Sequence, residues 1–238
     1  MVNLKKGQAF PIDFQWLTLN PFLFCVHHLD HYPEAFSLDG PRAFGPPPDE
    51  LVGRPIGQDF QPRDGWRMYH GRTVPGFPVH PHRGFETITI VRKGYVDHAD
   101  SLGAAGRYGE GDVQWMTAGA GVQHSEMFPL LRDDAPNSVE LFQIWLNLPR
   151  ARKFTEPHFA MLWNEQLPRW SSEDGLSSLT VICGSPDHMA KAPSPPPASW
   201  AADAQSSTRI WLIQLKKGGE IVLPADPDGV LRTLYVFG

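Results

Sequence analysis

Proline and glycine interrupt this chain 24 and 22 times in 238 residues, which leaves room for short strands and turns but for little helix. Between the interruptions, residues alternate with the period of a strand. Glu86-Thr-Ile-Thr-Ile-Val91 is the clearest run, followed by a turn at Arg92-Lys-Gly94 and a continuation in Tyr95-Val-Asp-His98. Val113-Gln-Trp-Met116, Val122-Gln-His-Ser-Glu-Met127 and Val139-Glu-Leu-Phe-Gln-Ile-Trp-Leu146 complete a set of short, evenly spaced strands. That is the pattern of an all-β barrel or sandwich. It returns towards the C-terminus in Ile210-Trp-Leu-Ile-Gln-Leu215, Glu220-Ile-Val-Leu223 and Leu231-Arg-Thr-Leu-Tyr-Val-Phe237, with turns at Gly218-Gly219 and Ala225-Asp-Pro-Asp-Gly229.

Three stretches fall outside the pattern. Residues 33–72, with Gly45-Pro-Pro-Pro48, have neither strand nor helix periodicity and read as an inserted loop. Residues 155–170 are the place for the longest helical element, bracketed by Pro157 and Pro168. Residues 190–202, centred on Ser194-Pro-Pro-Pro197, read as an extended linker rather than packed structure.

Composition narrows the classes. A hydrophobic content of 41% with 20% charged residues is that of a globular chain able to bury a core. A net charge of −5 without a Lys/Arg run argues against direct nucleic-acid binding. No apolar run is long enough to span a bilayer, and none follows Lys5-Lys6, so the cytosol is the expected compartment. Cys25 and Cys183 are read as buried thiols without a role.

The chemistry concentrates in two short segments. In a strand, His80 and His82 of Val79-His-Pro-His-Arg83 point the same way, about 7 Å apart along the backbone. His124 and Glu126 of Val122-Gln-His-Ser-Glu-Met127 repeat the arrangement. Two such strands meeting inside a barrel bring three imidazoles and one carboxylate to one ion. That donor set suits iron, manganese, nickel, copper or zinc and leaves coordination positions open. Pro81 lacks a backbone donor and suits an edge strand. Glu86 shares parity with His82 and is a candidate fifth donor or supporting partner. A rival cluster, Cys25, His27, His28, Asp30 and His31, is crowded in sequence, but His27 and His28 face opposite ways in a strand. His70, His98, His158 and His188 are read as ordinary surface or hydrogen-bonded histidines.

His80-Pro-His-Arg-Gly-Phe-Glu-Thr87, Gly111-Asp-Val-Gln-Trp-Met-Thr-Ala-Gly119 and His124-Ser-Glu-Met127, with Asn20-Pro-Phe-Leu-Phe24, Leu141-Phe-Gln-Ile-Trp-Leu-Asn-Leu148 and Glu156-Pro157, resemble the pirin family of the cupin superfamily. The resemblance implies a bicupin, two jelly-roll barrels face to face, with metal, usually iron, in the N-terminal one alone. Its ligands fall on His80, His82, His124 and Glu126, whereas Glu86, a ligand in many other cupins, is not one in pirins. The implied division is a metal-binding barrel over 1–150, a connector and proline-rich linker over 151–205, and the start of a second barrel over 206–238. Against the family pattern, the stretch between Phe24 and Phe77 is long and is expected to lie over the barrel mouth. Leu234-Tyr-Val-Phe-Gly238 resembles the middle of the second cupin, so that barrel is expected to be short, with its missing edge absent or supplied by a protein partner or a second copy.

The activity so implied is that of a metal-dependent dioxygenase of the quercetin 2,3-dioxygenase type, opening a flavonol or similar enolisable aromatic with O2. Iron(II) is the expected cofactor, with Mn, Ni, Cu, Co and Zn as alternatives, and Glu126 is the candidate general base. A metal- or redox-responsive regulatory protein, like the transcriptional cofactor known in animals, is the alternative from another class, and a metal-free structural cupin is a third.

Overall fold

A computed structural model describes residues 11–36, 44–224 and 230–237. Its strands are β1 (Phe22–Tyr32), β2 (Gly76–His82), β3 (Phe85–Lys93), β4 (Tyr95–Asp100), β5 (Ala105–Gly109), β6 (Val113–Thr117), β7 (Val122–Met127), β8 (Asn137–Asn147), β9 (His158–Leu162), β10 (Arg169–Ser171), β11 (Ser177–Cys183) and β12 (Ile210–Leu215). Helix among the described residues is confined to single 3-10 turns, and none is long or apolar enough to cross a membrane. The strands form a five-stranded sheet in the order β1-β8-β3-β6-β9, a four-stranded sheet β2-β7-β4-β5 and a three-stranded sheet β10-β11-β12, all antiparallel.

The five-stranded sheet is covered on both faces, and β3 shows how. Val91 joins a buried cluster with Val96 and Tyr108 of the four-stranded sheet, so that face is the interior of a barrel. Ile88 and Ile90 point the other way, with Trp115, Phe142 and Leu146, against Ile182, Cys183 and Ile210 of the three-stranded sheet. The alternation in Glu86–Val91 therefore separates two buried faces rather than a core from solvent. Trp115 and Phe142 belong to the packing between sheets.

The two glutamate–threonine faces of β3 must therefore satisfy their polar groups internally. Glu86 is fully buried on the outer face, where Oε1 accepts from Thr117 Oγ1 at 2.7 Å and Oε2 from Ser199 Oγ at 2.5 Å. This contact corrects the linker expectation: residues 190–199 have no regular structure, but Ala198 and Ser199 are buried against the barrel and Arg152 Nη1 donates to Pro197 O. It also removes Glu86 as a donor to the histidines. At Gly84, φ +77°, the chain passes from the four-stranded sheet of β2 to the five-stranded sheet of β3, so parity does not carry across it.

Other expectations change for the same reason, that tertiary pairing outweighs local pattern. Residues 155–170 hold no α-helix; β9 is recruited as an edge strand to β6, with Trp115 opposite Ala160, and a 3-10 turn and β10 follow. The described part of the 33–72 insertion does not lie free. Trp66, Met68 and Tyr69 are fully buried in the barrel cluster, and Arg54 holds the loop by its ion pair to Asp59 at 3.1 Å and its position 3.3 Å over Trp66. Residues 220–223 and 230–237 form no strand, having no pairing partner among the described residues. Tyr235 and Phe237 pack instead on Trp16, and Tyr235 Oη donates to Leu17 O at 2.6 Å. The turn expected at 225–229 and residues 37–43 lie outside the described residues.

Burial pushes the Glu86 carboxyl up from 4.5 to about 7, against the lowering effect of the Ser199 and Thr117 hydroxyls. The native state thus holds this proton more tightly than the unfolded chain does. The resulting stabilisation is complete below pH 4.5 and disappears as pH rises through 7, a swing of about 3 kcal/mol at most. Denaturant titrations of wild type and Glu86→Gln at intervals from pH 4.5 to 8 should diverge, with wild type losing stability relative to the variant as pH rises. Parallel curves would show that Glu86 does not titrate in that window.

Candidate metal centre

β2 is an edge strand beside β7, where the Pro81 nitrogen needs no ladder partner. Their register sets His80 opposite His124 and, across an irregularity between Phe77 and His80, Phe77 opposite Glu126. The approach is close at Gly76, φ +124°, where a Cβ would stand 2.5 Å from Glu126 O and 2.8 Å from Met127 Cα. Only glycine fits there. Strand alternation then turns His80 and His82 to the same side as His124 and Glu126.

Among the described residues, His80, His82 and His124 are the one group of His, Cys, Asp or Glu side chains whose donor atoms converge. His80 Nε2 lies 3.1 Å from the Nε2 atoms of both His82 and His124. The spacing is that of ligands sharing an ion with bonds of about 2.1 Å. Glu126 Oε2 is 3.7 Å from His124 Nε2, beside the three-histidine group and not within it. His80 Nδ1 is 2.8 Å from Pro78 O, a carbonyl that can only accept. Nδ1 therefore carries a proton, and in the corresponding neutral tautomer Nε2 presents its lone pair to the group, as a metal ligand needs.

The electrostatics agree. Burial, reinforced by the neighbouring imidazoles, lowers His82 and His124 to about 3, so both rings are neutral. His82, His124 and Glu126 are buried, while His80 is partly exposed and opens the group to solvent. The surrounding barrel wall is rich in polar atoms that find no protein partner: Thr87 Oγ1, both amide atoms of Gln114, and Nδ1 of His98 and of His124. Orphaned groups of this kind each cost about 1–3 kcal/mol in a dry core. They fit a hydrated, ion-holding chamber, and the three imidazoles fit a metal site.

Rings flank the group. His82 stacks edgewise against Phe85 and Trp145, with centroids at 5.1 and 5.4 Å, and Phe24 extends the wall behind Trp145 at 4.7 Å. Phe77 stands 6.3 Å from His80. On the far side His98, read from sequence as ordinary, is a buried neighbour of His124 with ring centroids 5.4 Å apart, and its Nε2 is 3.0 Å from Asp100 Oδ2. The signal was present as His98-Ala-Asp100, the same alternate spacing on the strand beside β7.

The rival N-terminal cluster does not converge. His27 Nε2 reaches Glu140 at 3.2 Å and His31 Nδ1 reaches Ser138 Oγ at 3.2 Å. His28 turns inward, where Nδ1 meets Tyr69 Oη at 2.7 Å, Tyr69 donates to Asp30 at 2.6 Å, and Arg67 Nε donates to Asp30 at 2.9 Å. Burial lowers His28 to about 3, so it is a neutral strut between β1 and the inserted loop. Cys25 and Cys183 are buried free thiols.

An antiparallel barrel with two alternately spaced donor pairs on neighbouring strands defines a cupin. Residues 57–146 match the Pirin family model. It is 39% identical over 148 residues to a candidate quercetin 2,3-dioxygenase of Pseudomonas aeruginosa, covering 62% of this chain and 49% of that one. It is 38% identical over 134 residues to human pirin, covering 56% and 44%. The crystal structure of quercetin 2,3-dioxygenase from Acinetobacter baumannii superposes with a TM-score of 0.55 at 29% identity, covering 75% of this chain and 49% of that one. The chain spans about half the length of these relatives.

Zn(II) should raise the melting temperature of the purified protein, by the equivalent of about 2.7 kcal/mol at a free-ion concentration about 100 times Kd. His124→Ala should remove that shift and His31→Ala should keep it. An equal shift in His124→Ala would place the ion elsewhere.

Proposed function

We propose that this chain holds one divalent metal ion, iron(II) in first place, through His80, His82, His124 and Glu126, and that it opens a flavonol or similar enolisable aromatic with O2. The carrying observation is the convergence of three imidazole Nε2 atoms beside Glu126 Oε2 at a point reached from solvent past His80. A bound ion would supply Lewis acidity towards the substrate's hydroxyl and, as iron, electron transfer with dioxygen.

The protein's own part is orientation and proton handling. Phe85, Trp145 and Phe24 form an aromatic wall beside His82, against which a planar substrate stacks. Phe77 bounds the side next to His80. The substrate's acidic hydroxyl, directed at the donor cluster, meets Glu126, whose Oε2 is turned towards the imidazoles and would exchange its place as a donor to the ion for the proton as the oxyanion forms. Kinship to proteins whose names carry quercetin 2,3-dioxygenase activity supports this substrate class.

Protein loaded anaerobically with Fe(II) and mixed with quercetin in an oxygen electrode should consume O2 in step with loss of flavonol absorbance. His82→Ala should slow it by about 100-fold or more, as several kcal/mol of charge stabilisation are lost. Tight metal binding with no uptake above the His82→Ala control would favour instead a metal- or redox-responsive regulatory role.

A further inference from the structure

The carboxylate of Glu126 is held from behind by a second polar layer. Thr89 Oγ1, on the inward face of β3, lies 2.9 Å from Glu126 Oε1 and 2.7 Å from Gln143 Oε1 on β8, the end of an amide whose oxygen and nitrogen exchange places by a half-turn of the side chain. Thr89 and Glu126 are buried, and Gln143 and Gln114 sit directly opposite Thr89 on the strands to either side. One row of polar side chains thus crosses three strands of the barrel floor and ends on Glu126.

Proton counting fixes the direction of this row. A threonine hydroxyl has one proton, so it cannot donate to two acceptors at once. With the Gln143 carbonyl towards Thr89, that single proton would face both a carbonyl and a carboxylate. With the Gln143 NH2 towards Thr89, both contacts are satisfied: the amide N–H donates to Thr89 Oγ1, and the Thr89 O–H donates to Glu126 Oε1. A hydrogen bond to a carboxylate is the stronger of the two kinds, which selects this order. Oε1 is then occupied, and Oε2, at 3.7 Å from His124 Nε2, is the oxygen left for the imidazole cluster.

We infer that Thr89 and Gln143 are positioning residues for Glu126, fixing it as a donor through one oxygen and thereby setting the affinity of the centre for its ion. This rests on the reading of Glu126 as a ligand, and it assigns two residues outside the donor set a role in metal binding. The hydroxyl is the working group of Thr89, and the N–H is that of Gln143.

Zn(II) affinity of the full chain, measured by competition with a chromophoric chelator, tests this without recourse to turnover. Thr89→Val, which keeps shape and removes the hydroxyl, should weaken binding by about 10- to 100-fold. Thr89→Ser should restore binding to within about threefold, and Gln143→Glu, which turns a donor into a competing acceptor, should weaken it. Melting of the metal-free variants monitors folding, and a residue that only supports the fold would lower that melting point and leave Zn(II) affinity alone. Because Thr89 acts through Glu126, Thr89→Val added to Glu126→Gln should cost nothing further. If Glu126→Gln binds Zn(II) as wild type does, the ligand reading itself fails. If Glu126→Gln weakens binding while Thr89→Val stays within about twofold of wild type, or if the two losses add fully, the positioning role alone is overturned. Should Thr89→Val not fold, Thr89→Ser and Gln143→Glu decide: loss in the first or none in the second contradicts the row.

Discussion

The pairing of β2 with β7 brings together the three imidazoles on which the proposed chemistry depends. Side chains in a strand alternate, so a slip of one residue would turn His80 and His82 outward and leave His124 and Glu126 without partners. The register is pinned at one end by Gly76, whose missing Cβ lets β2 lie against the β7 backbone. It is pinned nearby by Phe77, whose ring meets Tyr69, Phe60 and Phe128 in the barrel cluster. An edge strand is ordinarily the weakest part of a sheet. Here the inserted loop supplies Tyr69 and Phe60 and so buttresses the strand that carries His80 and His82, which gives that loop a structural purpose.

A second constraint follows from the doubly buried five-stranded sheet. Its outer face packs on β10-β11-β12, and its inner face lines the chamber behind the donors. The polar residues on both faces are enclosed, and the fold treats them differently. Outside, Glu86 is satisfied by Thr117 and Ser199 and becomes the point at which the proline-rich segment docks. Inside, Thr89 is bonded, while Thr87, Gln114 and His98, the last beside His124, retain atoms without a protein partner. The same strand thus joins a clamp between layers to the floor of the candidate centre.

Much of this was legible in the sequence because the signals were strictly local. Alternation in Glu86–Val91 and the His-x-His and His-x-Glu spacings depend on the strand repeat alone, and they point to His80, His82 and His124, whose donor atoms the fold brings together, with Glu126 beside His124. What was not legible depended on partners distant in the chain. Parity leaves Glu86 open as a fifth donor or supporting partner, and its contacts to Thr117 and Ser199, distant in the chain, take it away from the donors. His98 is hydrogen-bonded to Asp100, one of the two readings its sequence allows, and its place beside His124 comes only from the pairing of β4 with β7. Residues 155–170 became a strand because β6 offered a free edge. Ser199 in the linker and Trp66, Met68 and Tyr69 in the insertion sit in segments whose composition reads as loop, although their side chains close the core.

The central claim, one ion held by three imidazoles and one carboxylate, is tested most directly by X-ray absorption at the metal edge of the Zn(II)- or Fe(II)-loaded protein. The account predicts multiple-scattering features of three histidines and a light oxygen shell at about 2.0–2.2 Å. A shell with fewer than three imidazoles, or one containing sulfur, would contradict it.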